Sequence, residues 1–525
     1  MAAGTGRTLV PRRSNAARLT VSAQHIAAYL ANKEPVAGCA GWPRYDIDQD
    51  TWVAIGGELG HDEVELFGLW ADAERIYLAL RGGLDPCIVS MPLRPTGFPS
   101  LGRTHPPAIL FERAIHDLYG YAPVGAPDRR PWLDHGAWGV TAPLVAAYSA
   151  DKRDPADYDF LPVHGEGLHQ VPVGPVHAGI IEPGHFRFTA NGETIVRLEE
   201  RLGYAHKGIE GLLTDVGLEK AARIVARISG DSTVAYSFAF ARAIETALSV
   251  EVPARAQILR GVMAELERIA NHLGDVGAIC NDASFPLIHA HCGIFRERVL
   301  AVCDSAFGHR LMMDRIVPGG VTEDIAPAGG AQILSLLDEI KPAFAEIVRL
   351  YDDTPSLQDR TCRTGKIPAD LIPLWAPGGF VGRASGRSFD ARRDFAYPPY
   401  AGAAFNVPVL QEGDVNARVW IRIREVEQSI GLLRAWLAAL PDGEILAPIS
   451  PVSGRTCEGI AVGEAFRGDV LVWVRLAQGR VVRCHVRDPS WLQWPLLEAA
   501  MEGNIVADFP LCNKSFNCSY SGHDL

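Results

Sequence analysis

The sequence predicts a mixed α+β fold made of a small amino-terminal α+β unit and a larger, mainly helical unit with peripheral hairpins. Three observations predict this fold. Short apolar runs alternate with polar ones near the amino terminus, which is typical of strands. Long segments with apolar residues three and four apart follow in the second half, which is typical of packed helices. Two alternating segments with turn residues between them predict hairpins.

The amino-terminal unit has predicted strands and one predicted helix. Residues 51–55 and 75–80 are short apolar runs separated by glycine-rich turns, so both are predicted as strands. Residues 106–120 carry apolar side chains at helical spacing, Ile115 and Leu118 among them, and a segment rich in proline and glycine follows. A helix that ends near residue 120 is therefore predicted.

The larger unit is predicted to be a helical core of bundle type, because glycine or proline stands at most junctions between its periodic segments. The predicted helices are 218–250, 254–280, 291–309, 332–351 and 415–440. One hairpin is predicted within residues 171–198, around the turn Asn191-Gly192, and a second within residues 461–486.

A segment rich in charge, aspartate and proline separates the two units. Residues 151–155 read Asp-Lys-Arg-Asp-Pro, a composition that favours a linker. We therefore divide the chain near residue 155. The predicted organisation is a flexible tail at 1–44, an α+β domain at 45–150, a linker at 151–170 and a mainly helical domain at 171–525.

The composition is that of a globular protein that does not itself cross a membrane. Hydrophobic residues make up 48% and charged residues 21% of the 525 residues. A net charge of −12 disfavours a nucleic-acid binder, because such a protein needs a basic surface. No stretch approaches the roughly 18 apolar residues of a membrane span, and the first 32 residues lack the apolar core of a signal peptide. A cytoplasmic protein is expected.

The cysteines and histidines do not form a recognisable metal motif. The ten cysteines never form a Cys-x-x-Cys pair, which disfavours a zinc ribbon or an iron–sulfur cluster held by this chain alone. His289, His291 and Cys292 could bind zinc or nickel, but residues one and two apart point away from each other on a helix. We expect packing and capping roles for these three residues.

Two segments concentrate polar residues within apolar sequence. Residues 174–185 place His177 in a loop that glycines and prolines make tight. Residues 227–237 interrupt a helical region with Arg227, Asp231 and several hydroxyls, an arrangement that a simple cap explains poorly. No glycine-rich phosphate loop and no hydrolase serine elbow occurs, so direct nucleotide binding and familiar hydrolase chemistry are not predicted.

Several motifs, in order along the chain, carry a family resemblance. They resemble the large subunit of membrane-bound group 4 NiFe hydrogenases, of the formate hydrogenlyase type, and the 49-kDa quinone-site subunit of respiratory complex I. These motifs are residues 174–188, 202–210, 265–275, 382–386, 390–394 and 508–516. The amino-terminal motifs 98–101, 111–120 and 127–130 resemble the 30-kDa complex I subunit, with Ala114 where that subunit usually has a second glutamate. The resemblance covers residues from about 45 to 525 and implies a fusion of the two subunits.

The metal positions depart from the hydrogenase pattern. In the hydrogenases two Cys-x-x-Cys pairs hold nickel and iron, and the resemblance assigns their places to Ser229, Ser232, Cys518 and Ser521. A soft, anionic sulfur suits nickel, whereas a serine hydroxyl is hard and essentially un-ionised at neutral pH. We therefore expect no nickel–iron centre in this chain. The pattern is most similar to that of the energy-converting-hydrogenase-related complexes, which keep the architecture without the metal site.

The resemblance implies a peripheral subunit on the cytoplasmic side of a membrane complex. Its partners would be a small iron–sulfur subunit, which holds the iron–sulfur clusters, and antiporter-like membrane subunits that move protons or sodium ions. This chain would couple electron transfer to that ion movement, and no cofactor is expected to be held by this chain itself.

A quinone is the electron acceptor that the resemblance implies. His177 is the residue that matches the quinone loop of complex I, and residues 227–232 would complete the cavity. Histidine suits proton donation to a reduced carbonyl oxygen because its pKa lies near physiological pH, and Asp231 could set its charge. Complex I has a second histidine where this sequence has Ile181. His177, Asp231 and Arg227 are therefore the candidate residues of an acceptor cavity.

Two alternatives stay open. An active hydrogenase would need nickel bound by Cys518 with help from Cys512 or His523. A structural coupling subunit would pass conformational strain between its partners without binding any acceptor. An NADH-linked role could arise only through other subunits, because no nucleotide-binding motif occurs.

Overall fold

The computed structural model describes residues 21–61, 64–145, 158–177, 181–450 and 455–525 and has the predicted mixture of helices and strands. Its α-helices are α1 Val21–Leu30, α2 Gln49–Glu58, α3 Ile109–Tyr119, α4 Ile209–Leu212, α5 Leu218–Val225, α6 Thr233–Leu248, α7 Ala254–Asp282, α8 Pro286–Phe307, α9 Gly329–Asp352, α10 Pro355–Thr361, α11 Leu371–Trp375, α12 Gly379–Arg383, α13 Ala391–Asp394, α14 Val415–Ala438, α15 Ser490–Met501, α16 Phe509–Phe516 and α17 Tyr520–His523.

The strands form separate small sheets within the described residues. The strands are β1 Cys39–Ala40, β2 Arg44–Asp46, β3 Glu65–Ala71, β4 Arg75–Arg81, β5 Cys87–Pro92, β6 Phe98–Pro99, β7 Pro123–Val124, β8 Leu168–Val173, β9 His185–Asn191, β10 Thr194–Arg201, β11 Val216–Gly217, β12 Ile316–Val317, β13 Gly320–Val321, β14 Thr456–Glu464, β15 Asp469–Ala477 and β16 Arg480–Arg487. The strand orders are β2-β5-β4-β3, β10-β9-β8, β1-β14-β15-β16-β11, β12-β13 and β6-β7.

The amino-terminal unit differs from its prediction in one element. The strand predicted at 75–80 is confirmed as β4, and the helix predicted at 106–120 is confirmed as α3. The strand predicted at 51–55 is wrong, because these residues lie in α2. The side chain of Asp48 caps that helix by accepting a hydrogen bond from the Thr51 amide, and Trp52 and Ile55, three residues apart, are fully buried on one face.

Residues near the predicted domain boundaries form regular elements that pack on the rest of the fold. Residues 21–44, predicted within a tail, contain α1 and β1, and Ala23 and Ile26 of α1 are fully buried. One apolar core joins residues of the amino-terminal unit to the carboxyl-terminal helices, with Phe111 stacked on Trp491 at 4.7 Å. Residues 1–20 and 146–157 lie outside the described residues, and the second range includes the start of the linker predicted at 151–170.

The larger unit contains the predicted helices. Helices α7, α8, α9 and α14 correspond to four of the five predicted segments and share one apolar core. The fifth, residues 218–250, is divided into α5 and α6 by a break at the polar segment 227–232. Helix α6 packs closely on β14 at Gly459. This contact requires a glycine, since a Cβ at that position would clash with the carbonyl oxygen of Ala243.

Both predicted hairpins are present. Strands β9 and β10 pair in antiparallel register on either side of the turn at Gly192, and β15 pairs with β16 across Gly479. Strand β14 precedes them and pairs with β15, so residues 465–468 form a further turn that extends towards the break between α5 and α6. Among the described helices, none is both long enough and apolar enough to cross a membrane.

Candidate functional site

A cavity of about 600 Å³ opens where the break between α5 and α6 faces α7 and the carboxyl-terminal segment. The break exposes polar atoms here because the backbone of residues 229–232 leaves the helix before α6 begins. The cavity wall includes residues 229–231, Asn271, Gly274, Asp275, Arg467, Lys514 and residues 517–521.

Asp231 forms the polar centre of this wall. Arg467 binds it with two hydrogen bonds, of 2.9 Å to Oδ1 and 2.6 Å to Oδ2. The hydroxyl of Ser229 donates to Oδ1 at 2.6 Å and that of Ser232 at 3.2 Å. Burial raises the pKa of Asp231, but the Arg467 guanidinium and these hydrogen bonds outweigh burial and hold the pKa well below its usual range. The carboxylate is therefore ionised and paired.

The four positions that the resemblance assigned to metal ligands lie together at this cavity. Ser229, Cys518 and Ser521 line it, and Ser232 lies directly behind Asp231. The Ser521 amide donates to the Glu182 carboxylate at 3.1 Å. Burial raises the pKa of Cys518 well above its usual value, so its sulfur is a thiol.

The donor set is hard rather than soft. Two of the three serine hydroxyls use their protons on Asp231, and the four positions contain a single sulfur, that of Cys518. Nickel–iron chemistry uses thiolates as ligands and bridges, so these residues do not fit that centre. Within the described ranges, no group of three or more His, Cys, Asp and Glu side chains is arranged to hold a metal ion.

His177 lies behind one wall of the cavity. Its ring is 6.2 Å from that of Tyr520, which lines the cavity, and 5.5 Å from that of Phe186. Its Nε2 atom is buried and has no hydrogen-bond partner in the described part of the chain. Burial lowers the pKa of His177, so the imidazole is neutral at neutral pH. Residues 178–180 lie outside the described residues.

Arg227 is directed away from the cavity. Its guanidinium forms hydrogen bonds of 2.5 Å and 2.7 Å with the Asp314 carboxylate, and its side chain is about half exposed. The guanidinium that reaches Asp231 is that of Arg467, from the turn between β14 and β15. The carbonyl of Arg227 still contributes, because it accepts a 2.9 Å hydrogen bond from the Lys207 amine at the rim. The structure thus brings Asp231 to the cavity and His177 close to it.

Sequence reasoning missed the second polar group of the cavity, around Asp275. Its carboxylate accepts hydrogen bonds from the Asn517 amide at 2.9 Å and from Arg422 at 3.1 Å, and lies 3.4 Å from the Lys514 amine. Asp275 and Lys514 stand inside two of the family motifs, so their proximity could have been inferred from the pairing of those motifs. The partner Arg422 carries no such signal.

A fully buried charge network involves residues of helix α7 that do not line the cavity. Arg383 is its central cation: its guanidinium lies 2.7 Å from Glu425, 2.8 Å from Glu464 and 3.4 Å from Asp390. His272 bonds to Glu425 at 2.8 Å. The other members of the network are Arg268, Arg392 and Glu265. Because buried charges require partners, this network fixes α7 and the turn that carries Arg467.

The histidines and cysteine at the start of α8 do not converge. His289 and His291 are exposed, whereas Cys292 is fully buried in the apolar core. His289 lies at the cavity rim. The expectation of a packing role therefore holds for Cys292.

Comparisons with known proteins agree with the motifs. The family described as respiratory-chain NADH dehydrogenase, 49 Kd subunit, matches residues 289–455. Hydrogenase-4 component G of Escherichia coli is 30% identical over 491 residues, which span 90% of this chain and 84% of the relative. Formate hydrogenlyase subunit 5 of the same organism is 29% identical, spanning 91% and 85%. The carbon monoxide-induced hydrogenase of Rhodospirillum rubrum is 30% identical over 352 residues, spanning 66% and 97%.

Two of these relatives match along about nine-tenths of the chain, and so across both predicted units. The polar cavity, the break before α6 and the carboxyl-terminal segment all belong to the larger of those units. The chain therefore belongs to the family that contains hydrogenase-4 component G, formate hydrogenlyase subunit 5 and the 49-kDa-type subunits of respiratory-chain NADH dehydrogenases.

Proposed function

We propose that this chain is a peripheral-arm subunit of a membrane-bound, ion-translocating oxidoreductase complex and that it works without a nickel–iron centre. Its relatives are named as components of formate hydrogenlyase, of hydrogenase-4 and of respiratory-chain NADH dehydrogenase. The proposed partners are a small iron–sulfur subunit that covers the cavity and antiporter-like membrane subunits. The chain would couple electron transfer from the first partner to ion movement in the second.

One observation supports the absence of nickel most strongly. At the place of the first ligand pair, Ser229 and Ser232 donate their hydroxyl protons to Asp231, which Arg467 already neutralises. A nickel–iron centre at this place would need these oxygens free to coordinate it, so it would have to displace a closed set of hydrogen bonds. Residues 229–232 are therefore better suited to form an uncharged polar wall of the cavity than to bind a cation.

The acceptor that we propose for the cavity is a quinone. Reduction of a quinone to a quinol adds two electrons, here from the iron–sulfur partner, and two protons. The neutral imidazole of His177 has an unpartnered Nε2 atom, and its ring lies beside that of Tyr520. After a small rotation of the imidazole, this nitrogen would donate a hydrogen bond to a quinone oxygen. Arg467 uses four of its five N–H groups on Asp231, Ser232 and Asn517, so the second N–H of its Nη2 atom would be the donor to the other end of the ring.

Binding of decylubiquinone to the intact complex tests this proposal. We expect the quinone to slow hydrogen–deuterium exchange in peptides that contain His177 and Asp231. His177→Ala should weaken binding about tenfold, or ~1.4 kcal/mol, which is the size of one lost hydrogen bond. Arg223→Gln, on an exposed pair with Glu219, is the matched control and should leave binding unchanged.

The opposite result is equally informative. If the quinone protects neither peptide and His177→Ala leaves quinone-dependent turnover unchanged, the cavity does not serve an acceptor. The structural coupling role would then account for the retained scaffold.

A further inference from the structure

Arg296, on α8, is a cation of the cavity wall that has no partner among the described residues. Histidine aside, the wall holds four cations and three carboxylates. The other three cations are each engaged by a carboxylate or by backbone carbonyls: Arg467 by Asp231, Lys514 by Asp275, and Lys207 by residues 227 and 228. The wall therefore carries an excess of positive charge, and Arg296 is the cation whose charge is left for a ligand.

Gly274, on α7, lets the Arg296 side chain reach the cavity. A Cβ on Gly274 would lie 3.0 Å from Cδ and 3.2 Å from Nε of Arg296, and it would meet no other described atom within 4 Å outside α7. Arg296 also lines a side chamber of about 20 Å³ together with Asn271 and residues 230–231. The Asn271 amide donates a 2.8 Å hydrogen bond to the carbonyl of Asp231. The partly buried Arg296 side chain therefore lies at the same end of the cavity as Asp231.

A guanidinium in this position favours a ligand that carries an anionic oxygen. Its planar fork of N–H donors matches such a group, and charge-assisted hydrogen bonds are about twice as strong as neutral ones. Partial burial adds to this preference, because water and salt screen a partly buried charge less than an exposed one. The carbonyl of a neutral quinone gives Arg296 no counter-charge, whereas the ionised hydroxyl of a hydroxyquinone does.

We propose that the acceptor of this cavity is a hydroxyquinone whose ionised ring oxygen binds Arg296. The proposal rests on the acceptor role proposed above and adds the chemical class of the acceptor. Tyr520 and Ile181 of the cavity wall offer an aromatic and an aliphatic surface to the ring. Arg296 is thus a specificity-determining residue, distinct from Arg467, whose charge Asp231 already neutralises.

Equilibrium dialysis of the intact complex with two naphthoquinones of similar shape tests the role of Arg296. At neutral pH the wild type should bind ionised 2-hydroxy-1,4-naphthoquinone about thirtyfold more tightly than neutral 2-methyl-1,4-naphthoquinone, the effect of one charge-assisted hydrogen bond. Arg296→Gln should reduce that preference about tenfold by weakening only the binding of the anion. Arg298→Gln is the matched control, because Arg298 stands on the same helix in an exposed pair with Glu339.

Gly274→Ala tests the position of the guanidinium while its charge stays in place. The added methyl group would press on Cδ and Nε of Arg296 and move the side chain away from α7. Affinity for the hydroxyquinone should fall about fivefold, because the charge-assisted hydrogen bond depends on geometry, while affinity for the methylquinone should not change. Alanine is a better helix former than glycine, so the variant should fold at least as well as the wild type.

Two results would overturn the proposal for Arg296. One is an Arg296→Gln complex that keeps the wild-type preference for the hydroxyquinone. The other is displacement of the hydroxyquinone by an equal concentration of inorganic phosphate, because a site for small anions needs no ring. If neither naphthoquinone binds the wild type, the proposed acceptor role fails instead. Binding of 2-naphthoate that Arg296→Gln removes would then support the anion site alone, and no binding of 2-naphthoate would overturn the anion site as well.

Discussion

Replacing Arg383 by methionine is expected to lower the free energy of unfolding by about 3–5 kcal/mol, the cost of leaving buried carboxylates without their counter-ion. Arg383 is fully buried and contacts Glu425, Glu464 and Asp390 at 2.7 Å, 2.8 Å and 3.4 Å. Urea denaturation followed by tryptophan fluorescence measures the loss. Arg424→Met, at an exposed pair on α14, is the control and should change stability within error.

The loss of stability in the Arg383→Met variant should depend on pH. Burial already raises the pKa of Glu464 to about 7, with Asp390 adding to the rise and Arg383 opposing it. Without Arg383 the folded carboxyl groups bind protons more tightly than the unfolded ones, so stability falls as pH rises. The loss should therefore be smaller at pH 5 than at pH 8. A loss that is equal at both pH values would contradict the assignment of Arg383 as the shared counter-ion.

Replacing Arg467 by methionine is expected to cost about 2–4 kcal/mol, less than the Arg383 change because the Asp231 carboxylate is partly exposed to the cavity. The variant should also have faster amide exchange in residues 517–521, since the Arg467 guanidinium donates a hydrogen bond to the carbonyl of Asn517. Urea denaturation gives the first effect, and hydrogen–deuterium exchange of the carboxyl-terminal peptide gives the second.

A double-mutant cycle isolates the ion pair. Asp231→Asn removes the charge that Arg467 neutralises, so the double variant Asp231→Asn with Arg467→Met should be more stable than the sum of the single effects predicts, by about 1–3 kcal/mol. Additive effects would mean that the two side chains do not depend on each other, and the cavity wall would need a different explanation.

The fold was predictable from the sequence wherever local pattern decides structure. The apolar spacing indicates the long helices, and the hydroxyls and glycine of residues 227–232 indicate the break between α5 and α6. The prediction of a strand at 51–55 was wrong because so short a segment fits both the alternation of a strand and the spacing of a helix. Asp48, three residues before Thr51, was a capping signal that favoured the helix.

The candidate site was predictable in part. Residues 229–232 and 518–521 could be assigned to one place through the family motifs, and Asp231 through its position among them. Arg467 could not be predicted as part of the site, because it lies 236 residues after Asp231 in the sequence. It stands in a turn whose length and direction depend on the packing of β14 and β15.

Metal analysis of the purified, intact complex tests most directly whether the family scaffold is used here without nickel. Inductively coupled plasma mass spectrometry should find iron, from the iron–sulfur partner, and far less than one nickel per copy of this chain. The result should not change when cells are grown with added nickel. One tightly held nickel for each chain would contradict the proposal and would show that Cys518 and its neighbours support a metal centre after all.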